Sequence, residues 1–299
     1  MITVFGSINL DLIGGVERLP DPGETVPGTT FATAPGGKGA NQALAAARAG
    51  TPVRMVGAVG KDEFAAPALS LLSAGGVDLS RVRAVEGPTG VALILVDANG
   101  ENVIAVIPGA NGTVGEADAA ALDFNKRDAL VLQLEVPVPS IAVAARRARQ
   151  AGAHVLLNFA PFRADALGLI PHATHLIVNE SECGLIASAL GIPPGEPASQ
   201  ARMISEQNAV TVIVTLGKEG ALAVTAGKSE AVSALNVTPV DTVGAGDTFC
   251  GYLAAGLSEG LPLSTALGLA AGAGSLACTK AGAQPSIPFR AEVETALTA

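Results

Sequence analysis

The stretch "PVDTVGAGDTFCGYLAAG", Pro239 to Gly256, carries unusual small-residue control. Asp241 and Asp247 bracket a turn in which Gly244, Ala245 and Gly246 have almost no side chain. Phe249, Leu253, Gly256 and Leu257 then recur at helical spacing. A helix starting near Gly246 would aim free N–H groups and its positive end at one spot. A transferring phosphoryl group held there meets its growing charge with preorganised donors. Asp247, at the same helix start, stands where a carboxylate could take the proton from an attacking hydroxyl. The plainer reading is that Asp247 and Thr248 only cap the helix. Capping accounts for one Asp, but not for the Gly-Ala-Gly run before it.

A second stretch, "APGGKGANQALAAARAG" from Ala34 to Gly50, has the same character. Gly36, Gly37 and Gly39 open a helix whose first turn carries Lys38 and Asn41. Those polar groups reach outward while the Ala-rich remainder packs. A dinucleotide fingerprint fails here, because Gln42 stands where its third glycine belongs. A phosphate loop at Gly227–Ser229 fails too, because Leu222 stands where it needs glycine.

Around these stretches, short β-branched runs alternate with Ala-rich helices. Ile2–Phe5, Val53–Val56, Leu130–Leu134, Val155–Asn158, Leu176–Val178 and Val210–Thr215 read as buried strands. Helices are expected near Gly39–Ala49, Phe64–Ala74, Pro139–Ala151, Ser181–Leu190 and Ala198–Asn208. This alternation predicts an α/β fold, a mostly parallel central sheet with helices on both faces. Ligands then bind at the carboxyl ends of the strands. Leu12–Ala34 and Thr89–Ile107 break the pattern, the latter reading as two strands around a turn at Asn99-Gly100. They are expected either to pair into a small β-sheet lid that excludes water or to form a plain edge hairpin. The expected division is a main domain of residues 1–11, 35–88 and 108–299, with a discontinuous lid of 12–34 and 89–107.

The chain of 299 residues is 49% apolar and 15% charged, enough for a large buried core. Its net charge of −9 and scarcity of aromatics argue against a nucleic-acid partner. Cys183, Cys250 and Cys278 are odd in number and far apart, so a reducing cytoplasm is expected and no disulfide or zinc site. The N-terminus lacks the basic region of a signal peptide. Leu261–Cys278 is uncharged over 18 residues, but its Pro262, hydroxyl residues and glycines favour a buried helix over a membrane span.

Further polar spots fall at expected strand ends: Asn9 and Asp11, Glu135, the run Asn179, Glu180 and Glu182, and Thr215–Gly220. Each alone is weak, since acids at strand ends are usually solvated or capping. Their common position at one edge is the stronger signal. His154, His172 and His175 have no metal spacing. Two rival classes are a nicotinamide dehydrogenase, disfavoured by the missing fingerprint, and a non-catalytic sugar-binding regulator, which would not need Asp247.

The pair "GGKGANQALAAARAG" and "DTVGAGDTF" resembles the two signatures of the ribokinase-like (PfkB) sugar kinases. The resemblance runs almost end to end, through "GSINLD", "PDPGETVPG", "GPTGVALILVDANGENVI", "LQLEVP", "VNESE", "TLGKEG" and "KAGAQPSIP". It implies ATP-dependent phosphorylation of a sugar hydroxyl, and the members it most resembles act on the 5-hydroxyl of D-ribose. Other members act on 2-deoxyribose, fructose or nucleosides. Asp247 matches the family's catalytic base, and the amides around Gly244, Ala245 and Gly246 its anion hole. Asn9, Asp11, Gly37, Lys38, Asn41 and Glu135 match sugar-binding positions. Asn179, Thr215, Gly217, Lys218, Glu219, Gly220 and Gly246 match nucleotide-binding positions. Glu182 matches a position tied indirectly to Mg²⁺. Asp241, Val243, Ala277, Lys280, Gly282 and Ser286 match a K⁺ site. The resemblance further implies a lid shared in a homodimer. Two positions depart from the pattern: Phe159 stands where proline is usual, and Ala271 where members often carry a polar residue near adenine.

Overall fold

The β-branched runs become strands because each can be buried on both sides. A computed structural model describes residues 1–225 and 227–298. Its strands are β1 (Ile2–Phe5), β2 (Asn9–Val16), β3 (Gly28–Gly36), β4 (Val53–Gly60), β5 (Asp78–Val85), β6 (Gly90–Val96) and β7 (Asn102–Ile107). They continue as β8 (Ala129–Leu132), β9 (His154–Asn158), β10 (His175–Asn179), β11 (Thr211–Thr215), β12 (Ala221–Thr225) and β13 (Lys228–Val232). The helices are α1 (Lys38–Arg48), α2 (Ala65–Ala74), α3 (Glu116–Ala120), α4 (Val138–Gln150) and α5 (Glu180–Ala189). After them come α6 (Pro197–Asn208), α7 (Ala245–Glu259), α8 (Leu263–Ala277), α9 (Ala283–Ser286) and α10 (Arg290–Thr298).

The large sheet runs β13-β12-β11-β10-β9-β8-β1-β4-β5. Its pairs are parallel from β11 to β5, and antiparallel only where β12 and β13 close one edge. Side chains alternate between two cores. On β1, Ile2 and Val4 enter one core and Phe5 the other. On β8, Ala129 and Val131 oppose Leu130 and Leu132. The first core packs α1, α2, α7 and α8 through Leu44, Leu72, Leu253 and Leu267; the second packs α4, α5 and α6 through Ile141, Ile186 and Ile204. This double coverage explains why the strands read as unbroken apolar runs rather than alternating ones.

Because β1, β8, β9, β10 and β11 are parallel, their carboxyl ends share one edge. Asn9, Glu135, Asn158, Asn179 and Thr215 therefore gather there from across the whole chain. Two helices cross this edge in close contact. A Cβ on Gly251 of α7 would lie 2.5 Å from the Ala45 Cβ and 2.6 Å from the Gln42 carbonyl oxygen of α1. The Ala-rich face of α1 thus meets a bare glycine, and the first turns of both helices come together.

The two irregular segments pair with each other. The second sheet runs β3-β2-β6-β7, with β2 and β6 parallel and both outer pairs antiparallel. Asn9 and Asp11 already belong to its strand β2, on alternate residues and so on one face. The uncharged Leu261–Cys278 stretch forms α8, buried against α7. Among the described residues, no helix is long and apolar enough to cross a membrane.

Candidate active site

The site forms where the first turns of α1 and α7 meet the sheet edge. Helix α7 starts at Ala245, one residue earlier than the spacing suggested, after Gly244 in the left-handed region at φ 78°. A Cβ at Gly244 would also press on the Ala283 Cα at 2.9 Å, so glycine is required there twice over. Among the described residues, no side chain caps this helix. The Ala245 amide leans on the Thr242 carbonyl at 3.3 Å. The amides of Gly246 and Asp247, by the geometry of any helix start, have no intrahelical acceptor.

Asp247 does not cap. Its buried carboxylate accepts from the Asn41 Nδ2 at 2.9 Å on one oxygen and from the Gln42 Nε2 at 2.8 Å on the other. Thr248 turns its hydroxyl back to the Gly244 carbonyl at 2.9 Å. The capping reading of "GDT" therefore fails on geometry: neither side chain serves the free amides.

Glu135, just past β8, accepts at 2.5 Å from the Ser7 hydroxyl and at 3.1 Å from the Lys38 amide. It is thereby fixed against the start of α1. Asn9 accepts on its Oδ1 from the Asn111 Nδ2 at 2.7 Å, and Asn111 also bonds both backbone groups of Ile8. Gly37, at φ 89°, lies against the same segment, with its Cβ position 2.8 Å from the Asn9 nitrogen. A side chain at Gly36 would collide with the Asp11 carboxylate. Burial pushes the Asp11 carboxyl up to about 6, with the charges of Glu135 and Asp247 adding to the shift. The Lys38 ammonium is held up first by Asp247, against its own burial, and further by Glu135 and Glu182. One lysine thus sits among three carboxylates, in the range where its charge is kept.

Two cavities meet at this point. The smaller, about 140 Å³, is lined among others by Lys38, Asn158, Asn179, Glu182, Gly244 and Asp247. The larger, about 540 Å³, has the size of a small-molecule site. Gly217, Lys218, Gly220 and Ala245 line it, with Phe249, Ala271 and Ser275 on its apolar side; Glu219 does not. Thr215 and Gly246 line both, so the free amides of α7 stand at the junction. Asn179 and Glu182 exchange hydrogen bonds as a reciprocal helix cap while also facing the smaller cavity. Burial raises the Glu182 carboxyl.

Asp241 sits apart from the carboxylate group. Its two oxygens accept from the Gly282 amide at 2.8 Å and the Val243 amide at 2.9 Å, tying the turn before α7 to the loop before α9. The Ala277 carbonyl faces the Lys280 amide at 3.4 Å, the Lys280 ammonium pairs with Glu292, and the Ser286 hydroxyl donates to Ala283. Among the described residues, no group of three or more His, Cys, Asp and Glu side chains is arranged to hold a metal. Phe159 is fully buried in the second core beside Phe162, while its neighbours Asn158 and Ala160 line the smaller cavity. The departure from proline therefore fills core volume rather than the pocket.

Residue spacing did not single out Ser7, Gln42, Asn111, Gln133 or Asn158, all buried and polar. Ser7, Gln133 and Asn158 were visible as polar residues closing apolar runs, and Gln42 as the neighbour of Asn41. None of those signals says what the side chain touches.

A parallel α/β sheet with a capless glycine turn, a carboxylate beside it and two adjoining cavities defines a small-molecule phosphotransferase. Residues 1–290 match the model of the pfkB family of carbohydrate kinases, and the chain belongs to that family. It is 38% identical to the ribokinase of Schizosaccharomyces pombe, over 98% of this chain and 96% of that protein. It superposes on the crystal structure of the ribokinase of Thermotoga maritima with a TM-score of 0.91, at 32% identity, covering 100% of this chain and 99% of the other. The Arabidopsis thaliana ribokinase, solved with ribose and ATP, aligns with a TM-score of 0.87 at 31% identity, over 100% and 98% of the two chains.

Proposed function

We propose that this protein transfers the γ-phosphate of ATP to the 5-hydroxyl of D-ribose, with Asp247 as general base. The observation that carries the reading is the Asp247 carboxylate itself. It is buried and turned away from helix capping, next to the free amides that separate the two cavities. A sugar hydroxyl held beside Asp247 gives its proton to the carboxylate as it attacks. The amides of Gly246 and Asp247, with Gly244 and Ala245 shaping the turn, stabilise the charge that grows on the transferring group. Lys38 adds a positive charge at the same place.

The sugar would lie against Asn9, Asp11, Gly37, Lys38, Asn41 and Glu135. The Asn41 Oδ1 supports this, because it is buried without a partner and suits a hydroxyl donor. Asn179, Thr215, Gly217, Lys218, Gly220 and Gly246 would hold the nucleotide, and Glu219 would take part only from outside the cavity.

Glu182 has one oxygen committed to the Asn179 amide, which suits an indirect hold on Mg²⁺. Bound Mg²⁺ supplies charge neutralisation along the triphosphate. Asp241 and the backbone carbonyls near Val243, Ala277, Lys280, Gly282 and Ser286 would hold K⁺, with one formal negative charge among otherwise neutral oxygens. Bound K⁺ supplies a fixed positive charge behind the anion-binding turn.

We read the small sheet as a lid over the sugar and its outer face as a homodimer contact. Phe31, Leu93 and Val103 are exposed on the face opposite Asp11, an apolar patch of the kind that marks an interface. The reading implies a cytoplasmic enzyme, in keeping with the supply of ATP.

The test is ADP release with Mg-ATP across D-ribose, 2-deoxyribose, fructose and adenosine. Ribose should show the highest kcat/KM, because a buried site built for a hydroxyl discriminates against its absence by up to about 10⁴-fold. Asp11→Ala should hurt ribose more than 2-deoxyribose. A higher kcat/KM for 2-deoxyribose or adenosine would overturn the choice of sugar and leave the kinase reading standing.

A further inference from the structure

A chain of buried amides runs behind Asp247. Gln42 and Gln133 are fully buried, and Asn158 nearly so. The Gln133 Nε2 donates to the Gln42 Oε1 at 2.6 Å. The Gln42 Nε2 then donates to the Asp247 Oδ1 at 2.8 Å and to the Asn158 Oδ1 at 3.1 Å. Asn158 is itself anchored, through its Nδ2, to the Ile177 carbonyl at 3.3 Å.

All the polar capacity of Gln42 is directed by this arrangement. A neutral amide has two donors and one carbonyl. Here the carbonyl is claimed by Gln133 and both donors are spent on the site side. Turned over, Gln42 would present its carbonyl oxygen to the Asp247 carboxylate, acceptor against acceptor. Gln133 blocks that turn, since its donor needs the Gln42 oxygen where it is. Its own Oε1 is buried without a partner, so the bond to Gln42 is the one polar contact of this side chain among the described residues. Burying a glutamine with half its capacity unmet is costly, and an apolar residue would fill the same place in the core more stably.

We propose that Gln42, held in one orientation by Gln133, is a positioning residue for the base: it fixes the Asp247 carboxylate so that a remaining lone pair faces the attacking hydroxyl. Asn41 cannot do this alone. It holds one oxygen only, and a carboxylate bonded at one oxygen still swings about its last torsion. Asn41 also stands among the expected sugar contacts, its Oδ1 open to a substrate hydroxyl, so its orientation answers to the sugar as well as to Asp247. Gln42 lies one residue further on α1, buried behind the base, and holds the other oxygen whether or not sugar is bound. The inference rests on the kinase reading above, with Asp247 as base.

The test is a double-mutant cycle on the full chain, with Gln42→Met, Gln133→Met and both together. Each is assayed for kcat and KM with ribose and Mg-ATP, with folding checked by circular dichroism and thermal melting. Gln42→Met should lower kcat by about 10–100-fold, the order expected when a reacting group is misplaced by about 1 Å. The KM for ATP should stay within about twofold, because none of the hydrogen-bond partners of Gln42 lines the larger, nucleotide cavity. Gln133→Met, which has no contact with Asp247, should lower kcat in the same direction by a smaller factor. The double variant should be no worse than Gln42→Met, because the second change removes a bond whose purpose is already gone. Multiplying effects, or a folded Gln133→Met with unchanged kcat, would overturn the proposal. If Gln42→Met does not fold, Gln133→Met decides by the same split between kcat and KM. Absence of ADP release from the unaltered chain sinks the kinase reading and this inference together, whereas normal release with multiplying effects sinks the inference alone.

Discussion

Gly251→Ala should cost this protein far more activity than stability. The added methyl would meet the Gln42 carbonyl oxygen at 2.6 Å and the Ala46 nitrogen at 2.7 Å, both backbone atoms that cannot turn aside. An ordinary contact begins near 3.4 Å and the nearest atom, the Ala45 Cβ, would lie at 2.5 Å, so α1 and α7 must part by about 0.9 Å. Overpacking of this kind costs about 1–3 kcal/mol. Replacing glycine by alanine inside a helix returns roughly 0.5–1 kcal/mol. The net loss is then no more than about 2.5 kcal/mol, a fall in Tm of a few degrees for a chain of this size. Activity has no such offset. The hydrogen bond from Gln42 to Asp247 crosses the same seam, and its 2.8 Å would stretch beyond about 3.5 Å, where it no longer holds. A misplacement near 1 Å at the reacting group is worth about 10²-fold in rate. Steady-state ADP release and a melting curve measure the two effects side by side. Gly268→Ala is the control, since α8 leaves open space at that position: Tm should rise slightly and kcat should hold. Gly251→Ala with unchanged kcat would refute the claim that the α1–α7 seam sets the base.

Asp247→Asn should fold and bind both substrates by calorimetry, yet lose about 10²–10⁴-fold in kcat; retention of more than a tenth of the rate would remove Asp247 from the chemistry. Asp11, raised to about 6 from 3.8, binds a proton more readily in the folded chain than in the unfolded one. Its contribution to stability is therefore present below about pH 4 and lost as the pH rises through 6. Asp11→Asn should remove that component from the pH dependence of the melting temperature, and an unchanged profile would count against the shift. For ribose, which needs the ionised acceptor, KM should rise as the pH falls below about 6. Asp241→Ala should lower activity and erase any difference between K⁺ and Na⁺; equal rates in K⁺ and a large organic cation for the unaltered enzyme would dispose of the cation site.

Much of the site was readable because it lies in local stretches. A glycine turn before a helix is a property of consecutive residues, so Gly244–Asp247 and Gly37–Asn41 announced themselves. The polar closures of the strands did too, because parallel topology sends every carboxyl end to one edge. What stayed hidden was pairing. Whether Asp247 caps its own helix or serves something else turns on Asn41 and Gln42, which lie some two hundred positions away. Phe159 stood out only as a departure from proline, and the alternation that sends Val155 and Leu157 into the second core sends it there too. Asn9 and Asp11 read as the polar end of the first strand, yet β2 begins at Asn9 and carries both into the small sheet.

The amino-acid sequence by itself determined the alternation of elements, the two anion-friendly helix starts and the family to which they belong. Each depends on dihedral preference and on periodicity, which adjacent residues carry. Only the tertiary structure decided which polar groups meet. It set α1 against α7 across Gly251, aimed two amides at one carboxylate and placed Lys38 among Asp247, Glu135 and Glu182. Those contacts depend on how closely two helices approach on a sheet, a distance fixed by the packing of the whole core and written in no single stretch of the chain.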